Sequence, residues 1–283
     1  MPPFGDTMIR ASRPSLLALS LLAALVVAGC QREQPQPVAT PVDTPPAAQP
    51  EQPAIVLEDV IERDPRYLVG ITYPPLASKY PGLARELQQY TDAARADLQQ
   101  ALAGVEEHAG EGMLYDLSLE FREVLDSERF AAIAAAGSLY TGGAHGMPLV
   151  GRWVWLPQHD ALLSAEALIP RDEDWADIAA YARQQLHAAL EQRVEADGLA
   201  PEERAEVLRG AGRMIDAGTA PEAENFDQFE PVVDPDGRLM ALRFVFPPYQ
   251  VGPYSDGEHS VEVPAAVLLP KVAPQYRELF SGG

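Results

Sequence analysis

Two segments hold the side chains of this sequence best suited to chemistry. The first is Tyr140-Thr141-Gly142-Gly143-Ala144-His145-Gly146. Its glycines permit positive φ and close backbone approach, and His145 brings an imidazole that titrates near neutral pH. Phosphate binding does not fit, because no Gly-Lys-Ser or Gly-Lys-Thr is present and Pro148 with a strand follows where a helix would be required. Histidine catalysis needs a partner that polarises the ring, and no motif names one. A turn between two strands is what clustered glycines most often mark. The second segment is Phe246-Pro247-Pro248-Tyr249-Gln250-Val251-Gly252-Pro253-Tyr254-Ser255-Asp256-Gly257. Its prolines stiffen the loop, so little entropy is lost on binding. Its tyrosines offer rigid contact area with a polar tip. Such a loop serves either as a recognition surface or as an internal connection whose tyrosines cap the core.

A third position concerns location. Cys30 is the only cysteine of the chain. It ends the run Leu25-Val26-Val27-Ala28-Gly29-Cys30, behind Arg10, Arg13 and an apolar stretch from Leu16 to Ala28. A basic start, a short apolar centre and small residues before a cleavage point make a secretory signal. The stretch is shorter than the ~20 apolar residues a spanning helix needs. A cysteine directly after Ala-Gly resembles the lipobox of bacterial lipoproteins. That resemblance implies cleavage before Cys30, acylation of its thiol and a lipid-anchored protein in the periplasm. Gln31 in place of aspartate implies the outer membrane. Met8 offers an alternative start. With Cys30 acylated, no thiol remains for a disulfide or a thiolate metal site.

The chain has 283 residues, 47% hydrophobic and 22% charged, which describes a globular body rather than a disordered one. Its formal net charge is −21. Loss of residues 1–29, with Arg10, Arg13 and Asp6, leaves about −22. Such a surface repels nucleic acid and anionic headgroups and attracts a cationic partner. Solubility alone is the plainer explanation. The five histidines, His108, His145, His159, His187 and His259, show no paired metal-ligand spacing. No metal and no cofactor is expected.

The elements follow from periodicity and punctuation. Residues 31–53 contain seven prolines and no aromatic residue, so they cannot bury a core and form a tether of up to roughly 70 Å. The folded body begins near Ala54, with strands expected at 55–57 and 67–73. Pro81 opens a helix with Leu83, Leu87, Tyr90, Ala94, Leu98, Leu102 and Val105 on its apolar face. Residues 113–125 alternate as a half-buried strand, with Phe130 to Tyr140 as the hairpin partner. Arg152 to Leu156 is a short strand with Trp153 and Trp155 on one side. Helices are expected over 173–196 and 201–215, with Gly210 and Gly212 weakening the second. Asp234-Pro235-Asp236-Gly237 is a turn between strands at 232–233 and 239–246, the second presenting Met240, Leu242, Phe244 and Phe246 on one face. A last strand covers 260–263. Strands and helices are segregated, so the class is α+β, with antiparallel sheets and packed helices. The expected organisation is a signal peptide at 1–29, a tether at 30–53, and linked subdomains at 54–147 and 148–283.

The order of these segments is similar to a known two-part extracytoplasmic module. A tyrosine-proline segment before a helix, then Tyr-Thr-Gly-Gly-Ala-His-Gly, then Phe-x-x-Tyr-x-x-x-Pro-Tyr-x-x-Gly, is the pattern found in the lysozyme-binding bacterial anti-sigma factor of the sigma-V system. The module also lies beside the catalytic domain of a peptidoglycan deacetylase and in many bacterial lipoproteins as a domain of unknown function. Matching positions are Tyr140, Thr141, Gly142, Gly143, His145 and Gly146, then Phe246, Tyr249, Pro253, Tyr254 and Gly257. The sigma-binding segment, the membrane-spanning helix and the deacetylase domain of those proteins have no counterpart here, so neither sigma inhibition nor deacetylation is expected. The resemblance implies a non-enzymatic binding module of the cell envelope with a basic lysozyme-like hydrolase as partner. On that reading Tyr249 and Tyr254 anchor the interface, while Asp256 and Glu258 meet arginines of the hydrolase. Two alternatives stand beside it. One is peptidoglycan binding through the tyrosines and Trp153 or Trp155. The other is a hydrolase acting through His145 and a carboxylate.

Overall fold

The computed structural model describes residues 55–104 and 114–283. Cys30, the signal peptide, the tether, Ala54, Val105 and His108 lie outside the described residues. All described residues belong to one compact unit, Pro50–Gly283.

The chain begins with an edge hairpin, β1 (Val60–Asp64) and β2 (Tyr67–Thr72). Asp64 closes its two-residue turn by accepting from the backbone N–H and the Nε–H of Arg66. The strand expected at 55–57 is therefore displaced. Ile55-Val56-Leu57 lies outside any strand, and the Leu57 N–H donates to Ser78 Oγ at 2.9 Å. Helix α1 (Pro81–Ala103) follows, with proline in its first turn. Leu83, Leu87, Ala94, Leu98 and Leu102 form its buried stripe, as their spacing predicts. The helix is a crossover. It returns the chain so that β3 (Tyr115–Asp126) pairs with β2 in parallel.

From β3 the chain runs as an antiparallel meander through β4 (Ala131–Tyr140), β5 (Met147–Leu156) and the short β6 (Ala161–Leu162). The result is a six-stranded sheet in sequence order, antiparallel except at β2–β3. The boundary expected at 147/148 falls at the start of β5, inside this sheet. Beyond it lie the one-turn α2 (Ala165–Leu168), then α3 (Trp175–Ala196) and α4 (Pro201–Gly218). Gly210 and Gly212 do not end α4, which runs to Gly218. Gly212 faces His187 of α3 across the helix pair. A second, three-stranded antiparallel sheet is made of β7 (Phe229–Val233), β8 (Leu239–Phe246) and β9 (His259–Pro264). The helical turn α5 (Ala265–Leu268) follows. The turn at 234–237 forms as its residues predict, with Asp234 Oδ1 accepting from the N–H groups of Asp236 and Arg238. Leu242, Phe244 and Phe246 are buried in one cluster. Met240, expected on the same face, is 51% exposed at the start of β8. The class is α+β.

Period-two alternation splits the interior into two cores on opposite faces of the larger sheet. Leu117, Leu119 and Phe121 of β3, Ile133 of β4, and Trp153 and Trp155 of β5 face α1. Ala132, Val154 and Leu156 face α3 and the smaller sheet. Strand β4 is thus covered on both sides, which suits its alanines.

Between the sheets lies one buried carboxylate. Glu230 of β7 is met by Arg152 Nε of β5 at 2.8 Å, Arg122 Nη2 of β3 at 3.2 Å and Arg243 Nη1 of β8 at 3.4 Å. The Arg152 and Glu230 side chains are 3% and 6% exposed. The Arg152 Nε–H is not aligned on Glu230, so that contact is a charge pairing rather than a directed hydrogen bond. The same guanidinium donates from Nη2 to Glu258 at 2.7 Å and from Nη1 to the carbonyls of Ala135 and Gly151. Arg243 also donates to Glu262. Removing one partner of a buried ion pair strands the other, at about 3–5 kcal/mol. Glu230→Ala is expected to destabilise by that order, read as a lower urea midpoint. Glu262→Ala, at the exposed end of the network, is expected to cost under ~1 kcal/mol.

Candidate functional site

The fold brings the two nominated loops together. The segment 141–146 is the β4–β5 connection of the larger sheet, and 247–258 is the β8–β9 connection of the smaller one. In the first loop Gly142 (φ 104°) and Gly143 (φ 96°) turn the chain through conformations that side-chain-bearing residues rarely adopt. The Tyr140 hydroxyl donates to the Gly143 carbonyl at 3.2 Å and braces that turn. Thr141 and Gly146 flank it, and Ala144 and His145 stand exposed at its tip.

In the second loop Tyr249 adopts φ 76°, which is uncommon for an aromatic residue. Several bonds hold it there. Its backbone N–H donates to the Gly252 carbonyl, and the Gln250 N–H donates to the Pro247 carbonyl. The Gln250 amide then ties the loop to the body by donating to the carbonyls of Gly218 and Asn225, both at 2.9 Å. Pro253 leads into a short 3₁₀ turn over Tyr254–Asp256, closed by the Gly257 N–H donating to the Tyr254 carbonyl.

The loops meet in a cluster of three rings. The His145 and Tyr254 rings stack with centroids 4.0 Å apart at 13°. Tyr249 leans on both, 5.8 Å from His145 and 5.7 Å from Tyr254. His145 Nδ1 lies 3.1 Å from the Gly146 carbonyl, which can only accept, so Nδ1 carries the proton. In the neutral ring Nε2 is then the acceptor, and the Tyr249 hydroxyl donates to it at 2.6 Å. Both ring nitrogens are engaged, and among the described residues no carboxylate is hydrogen-bonded or ion-paired to the ring. Tyr249 remains 50% exposed, while Val251 and Gly252 beside it are buried. The 247–257 loop is therefore both a core connection, through Val251, and a surface, through its tyrosines.

Both carboxylates expected to meet a partner already have partners within the chain. Asp256 Oδ2 accepts from Arg193 of α3 at 2.7 Å, and Glu258 pairs with Arg152. Trp153 and Trp155, nominated for sugar stacking, are buried against α1, because the period of β5 turns both rings into that core. Among the described residues no group of three or more histidine, cysteine or acidic side chains is placed to hold a metal, and no helix is long and apolar enough to cross a membrane. Arg193, Arg152 and His259 border the second loop, and no local signal in the sequence marks them for it. Their partners are far away in sequence and no motif links them.

Crystal structures similar to the chain include two DUF3298 family proteins. One is a member of the DUF3298 family, a domain of unknown function, from Bacteroides fragilis. It is 17% identical, spans 77% of this chain and 92% of that one, and has a TM-score of 0.44. Another is a DUF3298 family protein from Pseudomonas aeruginosa, 19% identical over 80% of this chain and 96% of that one, with a TM-score of 0.46. No family model matches the sequence, and no curated protein is similar to it.

His259, where the loop rejoins β9, is partly buried. Burial pushes its imidazole below the ordinary value, Asp256 pulls it up and Arg193 pushes it down. With the folded value below the unfolded one, the unfolded chain takes up the proton first as pH falls. The stability contributed by the neutral ring is therefore complete above the unfolded value of 6.5 and lost below it. The urea midpoint is expected to fall between about pH 7.5 and 5.5. His259→Phe should flatten that stretch of the profile.

Proposed function

We propose that this protein is a lipid-anchored binding protein of the bacterial cell envelope, periplasmic and held to the outer membrane through Cys30. Its partner is a basic, lysozyme-like cell-wall hydrolase. The observation that carries this reading is the ring cluster of His145, Tyr249 and Tyr254. It joins loops of two different sheets into one stiff aromatic surface. Stiffness favours recognition, because ordering entropy is already lost before the partner arrives, and tyrosines are frequent anchors of protein interfaces. The engagement of both His145 nitrogens supports binding over catalysis by this ring. The net charge of −21 supports a cationic partner. With Asp256 and Glu258 paired internally, that attraction is assigned to the overall field rather than to those two side chains.

Capture of hen lysozyme by the purified protein at low salt is the expected result, weakening as salt screens the field. Tyr254→Ala is expected to reduce capture about tenfold or more, as loss of an interface anchor does. Absence of capture at low salt overturns the lysozyme reading. Cosedimentation with purified peptidoglycan that survives high salt would replace it with glycan binding through the same two tyrosines.

A further inference from the structure

A cavity of about 170 Å³ is lined by Val251, Gly252 and Asp256 of the 247–257 loop rather than by its tyrosines. Its apolar wall is made by Leu186 and Leu190 of α3, Ile215 of α4 and Val251 of the loop, all buried. At its other end stand Arg193, Asp256 and His259. Arg193 and Asp256 neutralise one another at 2.7 Å. His259 Nε2 is buried and has no hydrogen-bonding partner among the described residues. Gly252 sits directly against that nitrogen: a methyl group there would come within 2.8 Å of Nε2. The glycine thereby leaves room at the polar end.

A buried ring nitrogen without a partner is costly, and an apolar wall with a few convergent polar groups is the ordinary make-up of a small-molecule site. The volume matches cavities that accept a benzene-sized guest, about 150 Å³. The polar end has one internally paired charge couple, which favours a neutral head group. A hydroxyl fits either tautomer of His259, since it both donates and accepts, and it can also donate to Asp256. We propose that this cavity binds a small neutral molecule with a six-membered-ring-sized apolar body and a single hydroxyl, held by His259 Nε2. The proposal is independent of the partner assigned to the tyrosines of the loop.

Phenol and toluene are the probes, being alike in size and differing in the hydroxyl. Titrated into the purified protein and followed by methyl NMR, phenol is expected to shift the resonances of Leu186, Leu190, Ile215 and Val251. In His259→Phe its affinity should drop about tenfold while that of toluene is kept or improved. Ala211→Leu, which narrows the cavity from α4, should abolish both and serves as the test if the histidine variant does not fold. Failure of phenol to shift these methyls overturns the site. An unchanged phenol-to-toluene ratio in His259→Phe overturns the role of the imidazole, and undiminished phenol binding in Ala211→Leu overturns the location.

Discussion

The buried Glu230 carboxylate is the constraint on which the arrangement of the two sheets depends. Arginines from β3, β5 and β8 converge on it, and Glu258 and Glu262 balance the excess positive charge from the far side. Desolvating such groups is expensive, so the network adds little to net stability over an apolar seam. What it supplies is discrimination. A guanidinium presents donors in a fixed fork, and Arg152 uses that fork to address Glu230, Glu258 and two backbone carbonyls at once. A sheet docked in another register would leave that charge buried without partners. The seam therefore selects one relative placement of β5, β7 and β8.

The ring cluster inherits that placement. Glu258 borders the second loop, and its pairing with Arg152 ties the loop's exit to the strand that begins just after the first loop. The loop is then held at three further places: by Gln250 against the end of α4, by Val251 in the core, and by Asp256 against α3. Against that much support the unusual backbone of Tyr249 persists. Such conformations survive only where surroundings over-determine them, and they tend to mark functional surfaces.

Local signals in the sequence translated well and long-range ones did not. The apolar stripe of α1, the alternation of β3 and the Asp234–Gly237 turn each lie within a short window, where period and turn chemistry suffice. The two loops of the site were visible for the same reason, as unusual clusters of glycine, proline and tyrosine. Their meeting was not visible, because His145 and Tyr249 are joined only through the docking of the sheets. Strand β1 escapes the apolar signal because its charged residues suit an edge, whereas Ile55-Val56-Leu57 carries that signal and lies outside any strand. Met240 shows the limit of alternation at a strand end, where no neighbour covers the expected face. Glu230 reads as an ordinary surface acid, since its three counter-charges come from three other strands. Asp256 and Glu258 look free in sequence for the same reason.

The crossover through α1 has a consequence for the cost of closing the larger sheet. Strands β3, β4 and β5 close by short connections and lose little chain entropy in doing so, whereas β2 reaches β3 only after the whole of α1 has been laid down between them. The central meander is thus the part of the sheet that is least costly to close, and the β2–β3 pairing the most costly. Strand β1 is also one outer edge of that sheet, so the pairing that spans the longest connection carries the strand with a neighbour on one side alone.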